Sequence, residues 1–280
     1  MSAAELGLIK THCRALKLPA VADRAQPLAD ESRRQGLDHI AYLARLLDAE
    51  YEQRRQRRAA RRIQEAAFPL VKTLDSFDFA RAPHLPEARL RELATGSFIA
   101  KAEPVIFLGE PGTGKTHLAT ALGVAAAQQG RRVRFVTTAR LVTELIEAQD
   151  VRQLGRVTGR YARVDVLVLD EFGYVPLSRA DAELLFRVLS ERQEQRPIVL
   201  TTNLPFSEWT TIFPDPRLCK AIVDRLTYRA HIIETGADSI RLAATLARQT
   251  KKTAAAKDLD KAESAARKPA SDSEKRKTKN

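Results

Sequence analysis

Residues 109–116 restrict the possible folds of this chain more than any other segment. An apolar run at 104–108 precedes them, and apolar residues at helical spacing follow from 115 to 129. A glycine-rich turn between a strand and a helix can point backbone N–H groups at phosphates, and the helix N-terminus favours their negative charge. The segment matches the pattern G-x-x-x-x-G-K-[ST] in full, as Gly109, Glu110, Pro111, Gly112, Thr113, Gly114, Lys115 and Thr116. The sequence therefore predicts a phosphate-binding P-loop.

Two side chains of the P-loop are expected to carry its chemistry. Lys115 would neutralise the β- and γ-phosphates of a nucleotide, and the Thr116 hydroxyl would coordinate Mg²⁺. The alternative is a glycine turn that only redirects the chain. The predicted strand before the motif and helix after it favour nucleotide binding, because phosphate contacts require that arrangement.

A second motif follows the P-loop by about 50 residues. Four apolar residues at 166–169 predict a buried strand, and Asp170 and Glu171 stand at its carboxyl end. We expect Asp170 to hold Mg²⁺ directly or through water, and Glu171 to orient and polarise the attacking water. Asn203 ends the next predicted strand, where its amide is expected near the γ-phosphate. The alternative is an asparagine that caps the turn before Leu204.

Strands and helices alternate through the middle of the chain. This alternation predicts an α/β fold with a mainly parallel sheet flanked by helices. The strands are predicted at 104–108, 133–137, 164–169 and 197–202, and the helices at 115–129, 139–156, 180–193 and 217–227.

The excess of basic residues lies mostly outside this alternating region. The chain carries 47 Lys and Arg against 35 Asp and Glu, a net charge of +12. Residues 1–75 contribute +4, residues 76–248 contribute +3 and residues 249–280 contribute +5. We predict a small helical domain over 1–75, a nucleotide-binding domain over 76–248 and a disordered basic tail over 249–280. A polyanionic partner fits this distribution, although the tail could also serve only solubility.

Two groups of arginines have the spacing of a helix face. In the first, six arginines lie between 54 and 62, and their like charges would repel one another unless phosphate compensates them. The second group precedes the strand of the acid pair at spacings of 4, 4 and 3. A solvated helix face is the alternative interpretation of each group. The candidate nucleic-acid contacts are Arg54, Arg55, Arg58, Arg61 and Arg62 in the first group, and Arg152, Arg156, Arg160 and Arg163 in the second.

Composition excludes several classes of protein. The two cysteines, Cys13 and Cys219, lie far apart, so neither a disulfide framework nor a cysteine-based zinc site is expected to organise the fold. The N-terminus lacks the basic and apolar segments of a secretion signal, and no run of 18 apolar residues predicts a membrane span. We therefore expect a cytoplasmic protein with no membrane partner.

Three segments together resemble AAA+ ATPases of the IstB type, the ATP-binding helper proteins of bacterial insertion sequences, which are related to DnaC-type helicase loaders. The P-loop segment reads Gly-Glu-Pro-Gly-Thr-Gly-Lys-Thr-His-Leu-Ala. The acid pair begins Asp-Glu-Phe-Gly-Tyr-Val-Pro-Leu at 170–177, and Asn203 begins Asn-Leu-Pro-Phe-Ser-Glu-Trp at 203–209. The resemblance extends from about residue 6 to residue 248, and the basic tail lies outside it.

The resemblance implies roles for individual residues. Asn203 matches the sensor I position, and Arg225, in Asp-Arg-Leu, matches an arginine that such ATPases insert into a neighbouring subunit's nucleotide site. Arg241, in Ser-Ile-Arg, matches the sensor II arginine, which acts within its own subunit. The resemblance also implies that the nucleotide is ATP, that it is hydrolysed, and that an ATP-dependent homo-oligomer assembles on duplex DNA. Such assemblies bend the DNA and deliver it to a partner transposase.

Three other functions fit parts of the sequence. A loader of a replicative helicase would use the same ATPase and would favour single-stranded DNA. A small-molecule P-loop kinase would act as a monomer with an acceptor pocket, which the acid pair and the basic flanks argue against. An architectural basic protein would bind DNA without needing ATP. The Tyr-Val-Pro-Leu run and Trp209 favour the transposition helper over the helicase loader.

Overall fold

A computed structural model of the protein describes residues 3–237 and residue 239. Arg241, the helix expected to follow Ser239 and the tail predicted at 249–280 lie outside the described residues. Among the helices within 3–237, none is long and apolar enough to cross a bilayer.

The strands of the described chain are β1 (Val105–Leu108), β2 (Val133–Thr137), β3 (Val166–Phe172), β4 (Ile198–Thr202) and β5 (His231–Glu234). They form one sheet in the order β2-β3-β4-β1-β5, and every neighbouring pair is parallel. Parallel strands end at the same edge of a sheet, so this order brings the carboxyl ends of β1, β4 and β3 together. The predicted α/β fold with a parallel sheet is confirmed.

Helices cover both faces of the sheet and form the N-terminal region, as predicted. Short 3-10 turns also occur at Leu74–Ser76, Phe79–Arg81 and Phe206–Thr211. Within residues 3–237 the helices are α1 (Ala3–Ala15), α2 (Pro19–Arg34), α3 (His39–Ala66), α4 (Glu87–Ala94), α5 (Ser97–Ala100), α6 (Lys115–Gln128), α7 (Thr138–Asp150), α8 (Leu154–Arg163), α9 (Arg179–Arg192) and α10 (Pro216–Thr227).

Two segments differ from the expectations. Strand β5 was not predicted from the sequence; it is four residues long and, within the described residues, pairs with β1 alone at the edge of the sheet. The single helix expected over 139–156 is wrong, because α7 ends at Asp150 and α8 begins at Leu154. Arg152 lies in the turn between them with a left-handed φ of 56°. It is therefore not on the helix face that carries the other three arginines of its group.

Side-chain caps define where the helices around the sheet begin. The Ser178 hydroxyl accepts a hydrogen bond from the Asp181 N–H, and the Asp181 carboxylate accepts one from the Ser178 N–H, at the start of α9. The Asp215 carboxylate accepts hydrogen bonds from two N–H groups in the first turn of α10. These contacts satisfy N–H groups that a helix N-terminus leaves unpaired, so each helix starts at a defined residue.

Apolar side chains pack on both faces of the sheet. Val105 and Phe107 point to one face and pack with α6, whereas Ile106 points to the other face and packs with α7 and α9. The apolar stripe predicted for α9 is buried, with Leu185 fully enclosed and Leu184 only 9% exposed. The sheet is therefore buried from both sides, as an all-parallel sheet requires.

The N-terminal helices take part in two cores. Cys13, Val21, Ala25 and Leu46 form a small cluster of their own among α1, α2 and α3. The end of α3 instead contributes Ala66 to the core on the α6 face of the sheet. The division into domains at residue 75 therefore stays a prediction, because α3 packs both against the N-terminal helices and against the core on the α6 face of the sheet.

Candidate functional site

The P-loop connects β1 to α6 at the carboxyl edge of the sheet. Gly114 precedes the helix with a left-handed φ of 98°, and Lys115 is the first helical residue. The Lys115 side chain is folded back over the loop, where its ammonium donates hydrogen bonds to the carbonyls of Gly109 and Glu110 at 2.6 and 2.7 Å. Phosphate oxygens would be stronger acceptors for this ammonium than neutral carbonyls are.

The two residues that follow β5 form hydrogen bonds with the P-loop. The hydroxyls of Thr113 and Thr235 lie 2.6 Å apart, and the Glu110 N–H donates to the Gly236 carbonyl at 3.1 Å. A Cβ atom at Gly109 would overlap the Thr235 hydroxyl oxygen and would lie 2.8 Å from the Gly236 carbonyl oxygen. Glycine is therefore required at the start of the loop, because a side chain there would push β5 away.

Asp170 lies directly beside the P-loop threonine. The Thr116 hydroxyl donates a hydrogen bond to Asp170 Oδ1 at 3.0 Å, and the Thr201 hydroxyl donates to the same oxygen at 2.5 Å. Asp170 is only 4% exposed. The Thr116 hydroxyl and the Asp170 carboxylate thus occupy neighbouring positions, as two oxygen ligands of one metal ion would.

Glu171 interrupts the regular backbone of β3. Its φ is 58°, in the left-handed region, and the register between β3 and β4 shifts between Leu169 and Phe172. The Glu171 N–H donates to the Thr201 hydroxyl oxygen at 3.0 Å. Such backbone strain in a non-glycine residue is concentrated at functional sites. The Glu171 side chain is exposed at the carboxyl edge of the sheet, where its carboxylate is open to a water molecule.

Asn203 follows β4, between the strand of the acid pair and the strand of the P-loop. The Thr202 side chain, and not that of Asn203, forms the hydrogen bonds of the turn that follows β4. The Thr202 hydroxyl accepts from the Leu204 N–H at 3.2 Å and donates to the Leu204 carbonyl at 3.3 Å. The structure places Asn203 at the carboxyl end of β4, and a role of its amide at a nucleotide stays a prediction.

The donor groups at this edge fit a triphosphate and its metal ion. The glycine-rich loop and the Lys115 ammonium suit phosphate oxygens. A hydroxyl and a carboxylate suit Mg²⁺, which prefers oxygen ligands and keeps several waters. Thr116 and Asp170 are the residues that would hold the ion.

The helix that carries Lys115 also contacts the segment before β1. His117 Nε2 lies 3.0 Å from the Thr73 carbonyl oxygen and 3.2 Å from the Ser76 hydroxyl oxygen. Its ring meets the Phe77 ring edge-on at 5.1 Å. Burial and the charge of Lys72 lower the pKa of His117 from its ordinary value of 6.5, and the hydrogen bond to the Thr73 carbonyl opposes this only in part. The His117 side chain therefore links residues 73–77 to the first turn of α6.

Arg225 lies at the opposite edge of the sheet from the P-loop. It is in the last turn of α10, shortly before β5 begins, and so at the amino edge. Its guanidinium stacks on the Phe186 ring at 4.5 Å and donates to the Ala221 carbonyl at 3.1 Å. A four-residue strand spans about 13 Å, which separates this edge from the P-loop of the same chain. The structure thus does not bring Arg225 together with Lys115, Asp170 and Glu171.

Arg54 makes a structural contact within the N-terminal helices. Its guanidinium donates to Glu50 Oε1 at 2.8 Å and to the Lys17 carbonyl at 2.5 Å. Glu50 also accepts from the N–H groups at the start of α2, Ala20 at 2.8 Å and Val21 at 3.3 Å. Burial raises the pKa of Glu50, but the hydrogen bonds from Arg54 and these N–H groups outweigh it and hold the pKa below its ordinary value.

The other arginines of α3 differ in their partners. Ion pairs join Arg55 to Glu52, and both Arg61 and Arg62 to Glu65. Arg58 forms no ion pair within residues 3–237, and its guanidinium lies over Gly130 at the end of α6.

Three arginines of the second group lie on α8 and are exposed. Arg160 donates a short hydrogen bond to Glu144 and lies over the Tyr161 ring at 4.9 Å. The Arg156 guanidinium donates to the side-chain oxygen of Gln153 at 3.4 Å and forms no ion pair within residues 3–237. Arg156, Arg160 and Arg163 therefore form a short basic face, without Arg152.

Two threonines that position the site were not predicted from the sequence. Thr201 holds both acidic residues, and Thr235 holds the P-loop. The signal that could have found the first was a pair of hydroxyl residues at the carboxyl end of an apolar strand, Thr201 and Thr202, directly before Asn203. Thr235 gave no comparable signal, because β5 itself was not expected.

Known proteins are similar in sequence to most of the chain. A sequence model of the family described as IstB-like ATP binding protein matches residues 11–248. The insertion sequence IS21 putative ATP-binding protein of Pseudomonas aeruginosa is 38% identical over 227 residues, covering 81% of this chain and 86% of that protein. The insertion sequence IS5376 putative ATP-binding protein of Geobacillus stearothermophilus is 37% identical over 234 residues, covering 84% and 93%.

Solved structures share the fold at lower identity. AMPPCP-bound DnaA from Aquifex aeolicus has a TM-score of 0.51 at 20% identity, covering 60% of this chain and 51% of that one. A structure of DnaI has a TM-score of 0.50 at 22% identity, covering 58% and 90%. These likenesses show an AAA+ fold. Together with the family match over residues 11–248, the fold and the P-loop geometry show that the chain belongs to the IstB-like ATP-binding protein family.

Proposed function

We propose that this protein is an ATP-dependent DNA-binding ATPase that assembles on duplex DNA and recruits or activates a transposase. One observation carries the proposal: the Thr116 hydroxyl at the end of the P-loop donates to the Asp170 carboxylate at 3.0 Å. This arrangement suits an Mg²⁺-nucleotide and serves no evident purpose in packing. The relatives named as ATP-binding proteins of insertion sequences supply the biological setting.

Each residue of the site has a separate role in ATP hydrolysis. Bound ATP with Mg²⁺ supplies a phosphoryl group that water can accept. The Lys115 ammonium would neutralise negative charge on the phosphates at the P-loop, and Thr116 and Asp170 would hold the metal ion. The exposed Glu171 carboxylate accepts a hydrogen bond from water and takes up its proton, and the Asn203 amide helps to orient it. Thr201 keeps both acidic residues in place through its two hydrogen bonds.

Arg225 is the reason to propose an oligomer. It cannot serve the P-loop of its own chain, because the two lie at opposite edges of the sheet. A second copy whose P-loop faces the amino edge would receive its guanidinium at the γ-phosphate, where positive charge stabilises the transition state. Assembly would then depend on ATP, since the nucleotide forms part of the contact between subunits.

The basic surfaces support a DNA partner. Arg58 on α3, and Arg156 and Arg163 on α8, are exposed and form no ion pair within residues 3–237. Contacts of this type reach the phosphate backbone and carry little sequence information. Such backbone contacts suit the assembly of many subunits along a DNA duplex better than the recognition of one short DNA sequence.

The proposal is tested by measuring particle mass on gel filtration with duplex or single-stranded oligonucleotides of equal length. Large complexes should form on duplex DNA only with ATP and Mg²⁺. Lys115→Ala should abolish this shift, and Lys10→Ala, an exposed lysine on α1, should not. A preference for single strands would favour a helicase loader. A monomer that hydrolyses ATP regardless of DNA would contradict the proposal and favour a small-molecule kinase.

The role of Arg225 is tested by mixing two inactive variants. Glu171→Gln retains an intact arginine but cannot activate water, and Arg225→Ala retains an intact nucleotide site. If Arg225 acts on a second copy, the mixture should hydrolyse ATP faster than the sum of the two alone. Arg217→Ala, on an exposed position of the same helix, should keep its activity without mixing. A mixture no faster than the sum would rule out the contribution between copies.

A further inference from the structure

The segment between α3 and α4 is attached at two places to α6, the helix that begins with Lys115. This connecting segment comprises residues 67–77, which follow the end of α3 and include the 3-10 turn Leu74–Ser76. It meets the middle of α6 at Phe68, and it meets the first turn of α6 at residues 73–77. The N-terminal helices are therefore connected to the P-loop helix by side-chain contacts as well as by the chain itself.

The first attachment explains a glycine in the middle of α6. A Cβ atom at Gly123 would lie 2.8 Å from Cε1 of Phe68 and 3.1 Å from Cγ2 of Val168, closer than packed side chains tolerate. Gly123 lies within the helix and has no left-handed φ, so its conformation does not require glycine. Glycine is also among the least favourable residues in a helix interior. The close approach of Phe68 and Val168 is therefore what requires it.

The second attachment is made by His117, two residues after Lys115. Its Nε2 atom lies 3.0 Å from the Thr73 carbonyl oxygen and 3.2 Å from the Ser76 hydroxyl oxygen. A carbonyl can only accept a hydrogen bond, so Nε2 carries the proton and donates it. The Ser76 hydroxyl donates to the same carbonyl at 2.8 Å and accepts from the Thr73 N–H at 3.1 Å. His117 thus fixes a turn that is already closed by its own hydrogen bonds.

Apolar packing holds this turn on α6. Leu74 and Phe77 are buried in the core on the α6 face of the sheet, and the Phe77 ring meets the His117 ring edge-on at 5.1 Å. Leu70 and Val71, in the middle of the connecting segment, are exposed instead. The connecting segment is therefore held near its two ends and open to solvent between them.

The first turn of α6 carries both His117 and the residues expected at the phosphates. Lys115 now donates to the carbonyls of Gly109 and Glu110, and phosphate oxygens would draw its ammonium away from them. Residues of one helical turn are held together by the hydrogen bonds of the helix. Phosphate that orders this turn therefore also orders His117, together with the carbonyl that His117 holds.

The other end of the connecting segment adjoins the basic part of α3. Phe68 follows the last residue of α3 by two positions, and the exposed Arg57 and Arg58 lie on the same helix. DNA that immobilises α3 would immobilise the connecting segment from this end. When two ligands order the same segment, the first meets the entropic cost and the second binds more tightly.

We infer that His117 is a positioning residue through which duplex DNA on α3 and nucleotide at the P-loop raise each other's affinity. The inference rests on the proposed function and concerns the regulation of its nucleotide site. His117 acts through the Thr73 carbonyl, since the connecting segment lies between the two ligands. The coupling is reciprocal: DNA tightens nucleotide binding by the same factor by which nucleotide tightens DNA binding.

The coupling factor is measured on the full chain with a fluorescent, non-hydrolysable ATP analogue and Mg²⁺. The analogue is titrated with and without a saturating duplex of about ten base pairs, one helical turn, which is too short for assembly of many copies. The unmodified chain should bind the analogue at least about fivefold more tightly with DNA, the lower end of typical coupling. DNA titrated with and without the analogue should give the same factor.

His117→Phe keeps a ring against Phe77 but removes the Nε2 donor. The coupling factor should fall to about one, which means no coupling, while the affinity for each ligand alone stays nearly unchanged. His117→Gln keeps a side-chain donor and should retain most of the factor. His12→Phe, at an exposed histidine on α1, is the matched control and should retain all of it.

An unchanged factor in His117→Phe would overturn the inference. Arg58 also lies over Gly130 at the far end of α6, and coupling through that contact would survive the substitution.

A second measurement does not require a folded His117 variant. The N–H groups of Ser76 and Phe77 form hydrogen bonds within the turn, so their exchange reports its opening. In the unmodified chain, the ATP analogue should slow deuterium uptake along residues 73–77. Ser76→Ala, at an exposed position, should weaken this protection and lower the coupling factor. Uptake that does not respond to the analogue would overturn the inference.

Failure of this inference differs from failure of the proposed function. If the short duplex leaves the affinity of the unmodified chain for the analogue unchanged, while ATP-dependent complexes form on long duplex DNA, the inference is overturned and the proposed function stands. If the long duplex forms no such complexes either, both are overturned.

Discussion

The Thr201 hydroxyl lies 2.5 Å from Asp170 Oδ1 and joins two neighbouring acidic residues through one oxygen atom. It donates to Asp170 and accepts from the backbone N–H of Glu171 at 3.0 Å. Thr201 touches neither phosphate nor water in the proposed mechanism. It acts by fixing the residues that do.

Replacing this hydroxyl should slow hydrolysis without abolishing nucleotide binding. Thr201→Val keeps the shape of the buried side chain but removes one of the two hydroxyl hydrogen bonds to Asp170 and leaves the Glu171 N–H without its acceptor. We expect kcat to fall about 10- to 100-fold, as for other groups that orient metal ligands. Steady-state ATPase assays give kcat, and a fluorescent ATP analogue gives affinity. Thr201→Ser should recover most of kcat, which a packing role for the methyl group would not allow.

Glu171→Gln should trap the protein with ATP bound. The amide is close in size to the carboxylate but cannot take up the proton of the attacking water, so kcat should fall by about 10²- to 10⁴-fold. ATP-dependent complexes on duplex DNA should last longer as a result, measured by their decay after dilution into ATP-free buffer. Glu208→Gln, an exposed carboxylate in a 3-10 turn, should behave like the unmodified chain. Unchanged turnover in Glu171→Gln would remove the carboxylate from the mechanism.

The arginines of α3 should contribute unequally to DNA binding. Arg57 and Arg58 form no ion pair in the described part of the chain, whereas Arg55 and Arg61 are paired with Glu52 and Glu65. An arginine without an ion pair does not have to break one when it binds phosphate. We therefore expect the Arg57→Gln, Arg58→Gln double variant to bind duplex DNA more weakly than the unmodified chain. The slope of log K against log salt should decrease by about 0.9 for each phosphate that the variant no longer neutralises.

The matched comparison is the double variant Arg55→Gln, Arg61→Gln, which removes the same charge. An equal decrease in affinity for the two double variants would show that only net charge matters. Fluorescence anisotropy at four salt concentrations measures both slopes.

The Glu50 carboxylate should make the N-terminal helices sensitive to acid. Because its folded pKa lies below the ordinary value of 4.5, its stabilisation is complete above that pH and is lost as pH falls through the folded pKa. Glu50→Gln should lower the free energy of unfolding at pH 7 by about 1 to 3 kcal/mol, the range for hydrogen bonds to a charged group.

The difference between Glu50→Gln and the unmodified chain should shrink toward pH 3, as measured by urea unfolding at several pH values. Glu52→Gln is the control, since Glu52 pairs only with residues of its own helix surface. A difference that does not change with pH would mean that the charge of Glu50 is unimportant.

The central fold and the nucleotide site could be predicted from the sequence because their signals are local. The P-loop pattern lies between two strong apolar segments, and the acid pair follows a run of four apolar residues. By contrast, β5 is an edge strand in which only Ile233 is buried, so its apolar signal is weak. An edge strand is defined by its pairing with β1, which local spacing does not reveal.

Other features depend on contacts between distant segments. The apolar spacing in α3 correctly predicts a helix, yet Leu46 is buried while Ile40, Leu43 and Leu47 are exposed. Helical spacing alone does not show which of the apolar side chains of α3 pack against α1 and α2. In the same way, the function of Thr201 depends on the register of β4 against β3. The turn at Arg152 follows from the end of α7, which no glycine or proline marks.

The contact between Thr113 and Thr235 makes the edge strand a reporter of the P-loop. Edge strands exchange their amide hydrogens readily, because one side of the ladder is open. Phosphate that tightens the loop through Thr113 would also hold Thr235, which directly follows the strand. Nucleotide binding should therefore slow deuterium uptake along 231–235, as measured by mass spectrometry.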